Sequence, residues 1–391
     1  MSTRAFLLLA LPTRPALAST RLPPSALIYK QHVHHLAPRK PSERVRTDIS
    51  TSQSTGIASR KSFSTSSRYA VEEPPRTSPK TSTAEQPLFP TRAGPTGKTV
   101  DLKYDLHKPS SSSVEEEYEG GTAGVVIAHG LFGSKQNWGS LGKSIAARTG
   151  LPVYALDLRN HGASPHVDSL HYQDMAADIT HFINHTVRSE IGNKPVLLIG
   201  HSMGGKAVQA VALSPELEPG LLSGMISVDM SPKHGSLSKE FLAYVDAMEE
   251  IERAQCSTRK EADEILQRYE QDIGVRQFLL TNLTRSPADA PFWTFRIPLD
   301  IIRRHISQLG DFPHGPQDSV SSVVRALFVK GSKSAYINHK NIPLARQFFP
   351  SMRLVTLEAG HWVQAEKPRE FVDLVHRFVK GESVGEVPEH F

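Results

Sequence analysis

From about residue 96 onward the chain alternates short apolar runs with amphipathic helical patterns, and few folds accommodate that alternation. The runs cover residues 125–128, 152–156, 196–199, 226–228, 324–329 and 353–357. They end in His129-Gly130, Asp157, Gly200, Asp229, Lys330-Gly331 and Glu358-Ala359-Gly360. Between them lie helical stripes, such as Met175, Ile179, Phe182, Ile183 and Val187 on one face. This is the pattern of an α/β protein, with a mostly parallel central sheet and crossover helices on both faces. One interval breaks the rhythm. Between Asp229 and Val324 no convincing strand appears, only helical patterns: Phe241, Tyr244, Val245 and Met248, then a Thr258-x-x-Glu261 capping box before Ile265, Leu266 and Tyr269. Residues 232–320 are therefore expected to form a helical cap inserted in the sheet domain, where it would exclude water and shape a pocket.

The segment before this domain is of another kind. Eleven of the 45 Lys and Arg but only two of the 40 acids, Glu43 and Asp48, fall within residues 1–70, leaving 34 basic against 38 acidic residues beyond it. The net charge of +5 thus belongs to the leader and is no argument that the folded part binds nucleic acid. Rich in Arg, Ser, Thr and Pro, residues 1–70 cannot bury enough apolar surface to offset chain entropy. They match a mitochondrial transit peptide, with cleavage expected near Arg68 to Ala70 and a matrix destination. The competing secretory reading, Arg4 followed by an apolar stretch from Ala5 to Leu11 and then Ala16-Leu17-Ala18, is the weaker one, because the stretch is short and Pro12 and Arg14 interrupt its far end. Residues 71–95 read as a proline-rich linker, and 96–385 as the α/β domain.

No run of eighteen apolar residues is present to span a bilayer. The single cysteine, Cys256, rules out an internal disulfide framework and a cysteine-rich metal site. No P-loop and no strand-linked G-x-G-x-x-G occurs, so nucleotide hydrolysis and nicotinamide chemistry lack support. His32, His34 and His35 lie in the leader and read as incidental. No metal and no resident cofactor is expected.

The strongest local motif is Gly200-His201-Ser202-Met203-Gly204-Gly205, placed after one apolar run and before a helix expected from about Lys206 to Leu213. A sharp strand-to-helix turn there would expose the Ser202 hydroxyl as a nucleophile and aim a helix N-terminus at the reacting atoms. The flanking glycines let the turn approach neighbouring strands. A serine needs a base, and His361 is the candidate among eighteen histidines because it follows the last strand. The third member must orient the imidazole. The turn 329–335 has no carboxylate, so Asp229 at the preceding strand end is the first choice. Asp157 is the rival, with holding its own turn through Arg159, Asn160 and Gly162 as the plainer role. Oxyanion donors are expected from the backbone N–H of Met203 and of Leu131, the latter in the loop 129–134. Lys206, one turn past Ser202, is either packed or set against an anionic substrate.

Together these residues resemble the α/β-hydrolase superfamily over roughly residues 96–385. More narrowly, the loop 129–134, Asp157-Leu158-Arg159-Asn160-His161-Gly162-x-Ser164-Pro165, Gly200 to Lys206 and Val228-Asp229 are similar to one subgroup. It holds small bacterial esterases, mitochondrial abhydrolase-domain proteins of animals and yeast mitochondrial ethanol acetyltransferases. The resemblance implies the α/β-hydrolase fold, a triad acid at Asp229, and an acyl-enzyme on Ser202. The yeast members make acetate esters from acetyl-CoA and ethanol and also hydrolyse esters and thioesters. The implied partners are therefore a small ester, thioester or alcohol, with acetyl-CoA as an acyl-donor substrate. A catalytically silent, partner-binding protein that keeps the old pocket is the reading from another class. Intact Ser202, Asp229 and His361 argue against it. Dehalogenase chemistry would want a carboxylate in place of Ser202.

Overall fold

The computed structural model describes residues 95–109, 118–235 and 237–386. Residues 1–70, expected to be a transit peptide, with His32, His34 and His35 among them, and the expected linker up to residue 94 lie outside the described residues. The domain is built on a seven-stranded sheet. Its strands are β1 (Tyr104–His107), β2 (Gly124–Ala128), β3 (Val153–Leu156), β4 (Val196–His201) and β5 (Leu222–Val228). A short hairpin of β6 (Leu283–Thr284) and β7 (Thr294–Phe295) stands apart, and β8 (Ala326–Gly331) and β9 (Arg353–Leu357) complete the sheet. The order across the sheet is β1-β3-β2-β4-β5-β8-β9, parallel throughout except for β1 against β3. Each of the six apolar runs read from the sequence is a strand, and all six are in the parallel part.

Burial on both faces explains why the central runs of β2, β3 and β4 are continuously apolar rather than alternating, whereas edge strand β9, with Arg353 and Thr356, is only partly buried. Val125, Ile127, Leu197, Ile199, Ile226 and Val228 face one layer, packed with the helices Gly139–Thr149 and Pro368–Val379. Val126, Ala128, Leu198 and Met225 face the other, packed with the helices Tyr172–Phe182 and Met203–Ala212. The stripe Met175, Ile179, Phe182, Ile183 and Val187 is entirely buried in that second layer.

The interval between β5 and β8 carries the helices Lys239–Arg253, Arg259–Leu266, Ile273–Leu280 and Leu299–His305. Thr258 caps the second of these, accepting the Glu261 N–H at 3.2 Å, while the Glu261 carboxylate reaches back to the Ser257 N–H. The β6–β7 hairpin is a departure from the strand-free reading: two residues per strand are too few for a periodic signal. Tyr244, Val245, Met248, Leu266, Leu279 and Ile302 join the core of the second layer, so the insertion shares its apolar interior with the sheet domain. Among the described residues no helix is long and apolar enough to cross a membrane.

Candidate active site

The turn after β4 sets the geometry. Ser202 has φ 54° and ψ −117°, backbone that a serine adopts at a cost of order 1–3 kcal/mol. The turn is held from both sides. The Ser202 N–H donates to Val228 O at 3.1 Å, and its carbonyl accepts the Lys206 N–H at 3.2 Å, the first turn of the helix Met203–Ala212. That helix starts about three residues earlier than the sequence suggested, which puts the Met203 N–H in the unpaired first turn at the positive end of the helix. Two glycines permit the turn. A Cβ on Gly200 would lie 2.1 Å from Gly204 O, and one on Gly204 would lie 2.3 Å from Ala128 O.

His361 and Asp229 meet beside this turn. His361 follows β9 and Asp229 ends β5, and Nδ1 of the histidine lies 2.7 Å from Oδ2 of the aspartate. A carboxylate only accepts, so Nδ1 carries the proton and the ring's Nε2 is left for chemistry. Asp229 is fully buried, with φ 49°. It is kept there by two more donors, the Gly331 N–H at 3.0 Å to Oδ1 and the Ser334 hydroxyl to Oδ2. The turn 329–335 thus contributes donors where a carboxylate had been sought. The Tyr336 ring stacks on His361 at 4.2 Å, and His201 Nε2–H donates to the His361 carbonyl at 2.9 Å, tying the histidine to the residue before Ser202. Burial and the neighbouring His361 push the His201 imidazole down to about 3, so this donor stays neutral. Among the described residues no hydrogen bond joins Ser202 Oγ to His361. In unliganded sites this contact is commonly long and tightens with substrate.

The loop 129–134 crosses over the same turn. A Cβ on Gly130 would lie 3.2 Å from Ser202 Cβ and 3.1 Å from His201 Nδ1, so the loop passes close against the turn at this residue, next to Leu131. Two histidines that the sequence reading did not single out lock this loop to the one after β3. His129 Nδ1–H donates to Gly130 O at 2.7 Å and its Nε2 accepts the Leu158 N–H at 3.0 Å. His161 Nδ1–H donates to Arg159 O at 2.9 Å and its Nε2 accepts the Phe132 N–H at 3.2 Å. Both rings are buried, which lowers both below the ordinary histidine range, His161 to about 3. A His-Gly pair after each of two neighbouring strands was the available signal.

Asp157 is not brought to His361. Its strand lies beyond β2, on the opposite side of β4 from β5. Its carboxylate accepts the Lys135 N–H at 2.7 Å, Lys135 Nζ at 2.5 Å and the Ala163 N–H at 2.9 Å. Burial opposes its charge, but the bonds from Lys135 and Ala163 outweigh that and hold the carboxyl below the usual carboxylate range. The expected service by Arg159 and Asn160 is also corrected: Arg159 pairs with Asp178 at 2.6 Å and with Asp174 at 3.3 Å, and Asn160 bonds Ser169 and Val167. Gly162 does matter, since a Cβ there would lie 2.1 Å from the carboxylate carbon. Lys206 does not face a substrate either. It is buried, and Nζ donates to the carbonyls of Leu309, Gly310 and Asp311 at 3.3, 3.0 and 2.8 Å, fastening the end of the cap to the helix after Ser202.

Residues 125–374 match the alpha/beta hydrolase family model. The chain belongs to this family. It is 37% identical to the sn-1-specific diacylglycerol lipase ABHD11 of Xenopus laevis, over 72% of this chain and 85% of that one. It is 35% identical to the "Probable alcohol acetyltransferase" of Saccharomyces cerevisiae, over 72% of this chain and 84% of that one. Among solved structures it is similar to a marine microorganism esterase, at TM-score 0.61 and 31% identity over 72% of this chain and all of that one. An alpha/beta hydrolase with relatives of these kinds is an enzyme of the esterase or acyltransferase type, acting on a small molecule.

Proposed function

We propose that this enzyme transfers short acyl groups through an acyl-enzyme on Ser202, as an alcohol acetyltransferase that also hydrolyses esters and thioesters. The observation that carries the reading is the 2.7 Å pair of His361 Nδ1 and buried Asp229 beside a serine held at φ 54°. Ser202 Oγ attacks the acyl carbonyl while His361 Nε2 takes its proton. Asp229 keeps the imidazole in the required tautomer and stabilises the imidazolium. The N–H groups of Leu131 and Met203 receive the developing oxyanion. Collapse expels the alcohol or thiol, which leaves with the proton from His361. Water or an alcohol then attacks the acyl-serine with His361 again as base, restoring the serine. Acetyl-CoA enters as a substrate, and no resident cofactor takes part.

Kinship to an alcohol acetyltransferase supports the alcohol outcome, and kinship to a lipase and to a solved esterase supports the water outcome. Supplying purified protein with acetyl-CoA, with and without ethanol, separates them. Ethyl acetate that appears only with ethanol and is lost in Ser202→Ala supports the transferase; free acetate alone reduces the reading to hydrolysis. A fluorophosphonate probe that labels the wild type but not Ser202→Ala marks an active serine, and a folded, unlabelled wild type restores the partner-binding alternative. The basic, acid-poor leader supports a mitochondrial matrix address, which N-terminal sequencing of the mature protein tests.

A further inference from the structure

Phe132, the residue after Leu131, has φ 61°, a left-handed backbone rarely adopted by a bulky side chain. It is almost wholly buried and is gripped at both of its polar backbone atoms. Its N–H is taken by His161 Nε2 at 3.2 Å, from the loop after β3. Its carbonyl accepts Asn282 Nδ2–H at 2.8 Å, from the cap 150 residues away in sequence. The ring of Phe132 also lies 6.4 Å from that of Phe241 on the first cap helix.

Asn282 is itself built in. It is buried, its N–H donates to Leu279 O at 3.1 Å, and its carbonyl accepts the Arg296 N–H at 2.9 Å. It therefore sits at a fixed corner between the helix Ile273–Leu280 and the hairpin β6–β7. We infer that Asn282 is a positioning residue for the oxyanion site: by holding the Phe132 carbonyl it keeps the strained backbone wound and the adjoining Leu131 N–H aimed over Ser202, so that seating of the cap and assembly of the oxyanion site are one event. This rests on the acyl-transfer reading above. The physical reason is that a residue at positive φ stays there only when its surroundings over-determine it. With His161 alone on the N–H, Phe132 can relax to negative φ and rotate the Leu131 N–H away.

The test uses the full chain as wild type, Asn282→Ala and Asn282→Asp, the second keeping the volume while removing the donor. Three quantities are measured: kcat and KM for p-nitrophenyl acetate, the inhibition constant of a trifluoromethyl ketone, which forms a hemiketal oxyanion on the serine, and hydrogen exchange of residues 129–134. Loss of one oxyanion donor costs about 10²–10³ in turnover, and a loosened one is expected to cost about 10–100-fold. Folded variants are expected to lose that factor in kcat with KM nearly unchanged, to lose ketone affinity in parallel, and to exchange faster in residues 129–134. Variants that melt like wild type and keep its kcat and ketone affinity overturn the role of Asn282 alone. A wild type that neither hydrolyses the ester nor takes a fluorophosphonate overturns the acyl-transfer reading, and this inference with it.

Discussion

Asp229 and Asp157 are two carboxylates in nearly the same situation. Each ends a parallel strand at the same edge of the sheet, each is fully buried, and each accepts three hydrogen bonds. They differ in what stands opposite. Asp229 faces the β8 and β9 side of the sheet and meets an imidazole, while Asp157 faces the β2 loop and meets Lys135. A partner with a free ring nitrogen can pass a proton on. A lysine that is already charged only anchors a loop. Burial and hydrogen bonding therefore do not distinguish the carboxylate proposed for catalysis from one that holds a loop, and strand order does.

The comparison can be broken at either end. The largest expected effect is at Ser202: Ser202→Ala is expected to lower kcat by about 10⁶, measured against a short-chain nitrophenyl ester. Next is Asp229→Asn, with a fall of about 10⁴ because the imidazole loses its tautomer control. An Asp229→Asn enzyme with near-normal turnover would mean that another group orients His361. The third change is on the opposite side. Asp157→Ala is expected to cost about 3 kcal/mol in urea unfolding, at the low end for breaking a buried ion pair because Lys135 is partly exposed, while the folded fraction keeps close to wild-type kcat. Turnover falling as far as in Asp229→Asn would erase the distinction drawn here.

A last effect concerns acid. An unfolded histidine takes its proton near 6.5, whereas buried His161 and His201 wait until about 3. Between those values the unfolded chain binds more protons, so stability is expected to fall as pH drops from 6.5 towards 3, by up to about 1.4 kcal/mol per pH unit for each ring. Urea midpoints at pH 7, 5.5 and 4.5 measure this, and His161→Gln is expected to flatten the slope. A slope unchanged by that substitution would detach His161 from the acid response.

What could be read in advance was local in the chain. Six mostly apolar runs of strand length, each closed by a polar or glycine turn, point to a parallel sheet because central runs apolar on both faces need cover on both sides. Gly200 and Gly204 mark the turn at Ser202 because no side chain fits there, a requirement written into single positions. What could not be read depends on which loops share an edge. Gly331 and Ser334 are donors to Asp229, His161 holds Phe132, and Asn282 reaches it from the cap across 150 positions, yet none of these has a neighbour in sequence that announces the bond. The sequence left Lys206 open between packing and an anionic substrate because nothing nearby in the chain occupies it; three carbonyls more than a hundred residues away do.

Propensity, periodicity and steric exclusion act over a few residues, so the sequence alone determined the sheet, the sharp turn and the candidate serine and histidine. Hydrogen-bond pairing between distant strand ends depends on the order in which the strands assemble. The sequence put Asp229 ahead of Asp157 as the partner of His361, but only the tertiary structure shows the 2.7 Å contact, gives Asp157 to Lys135, and brings the cap onto the loop that holds Phe132.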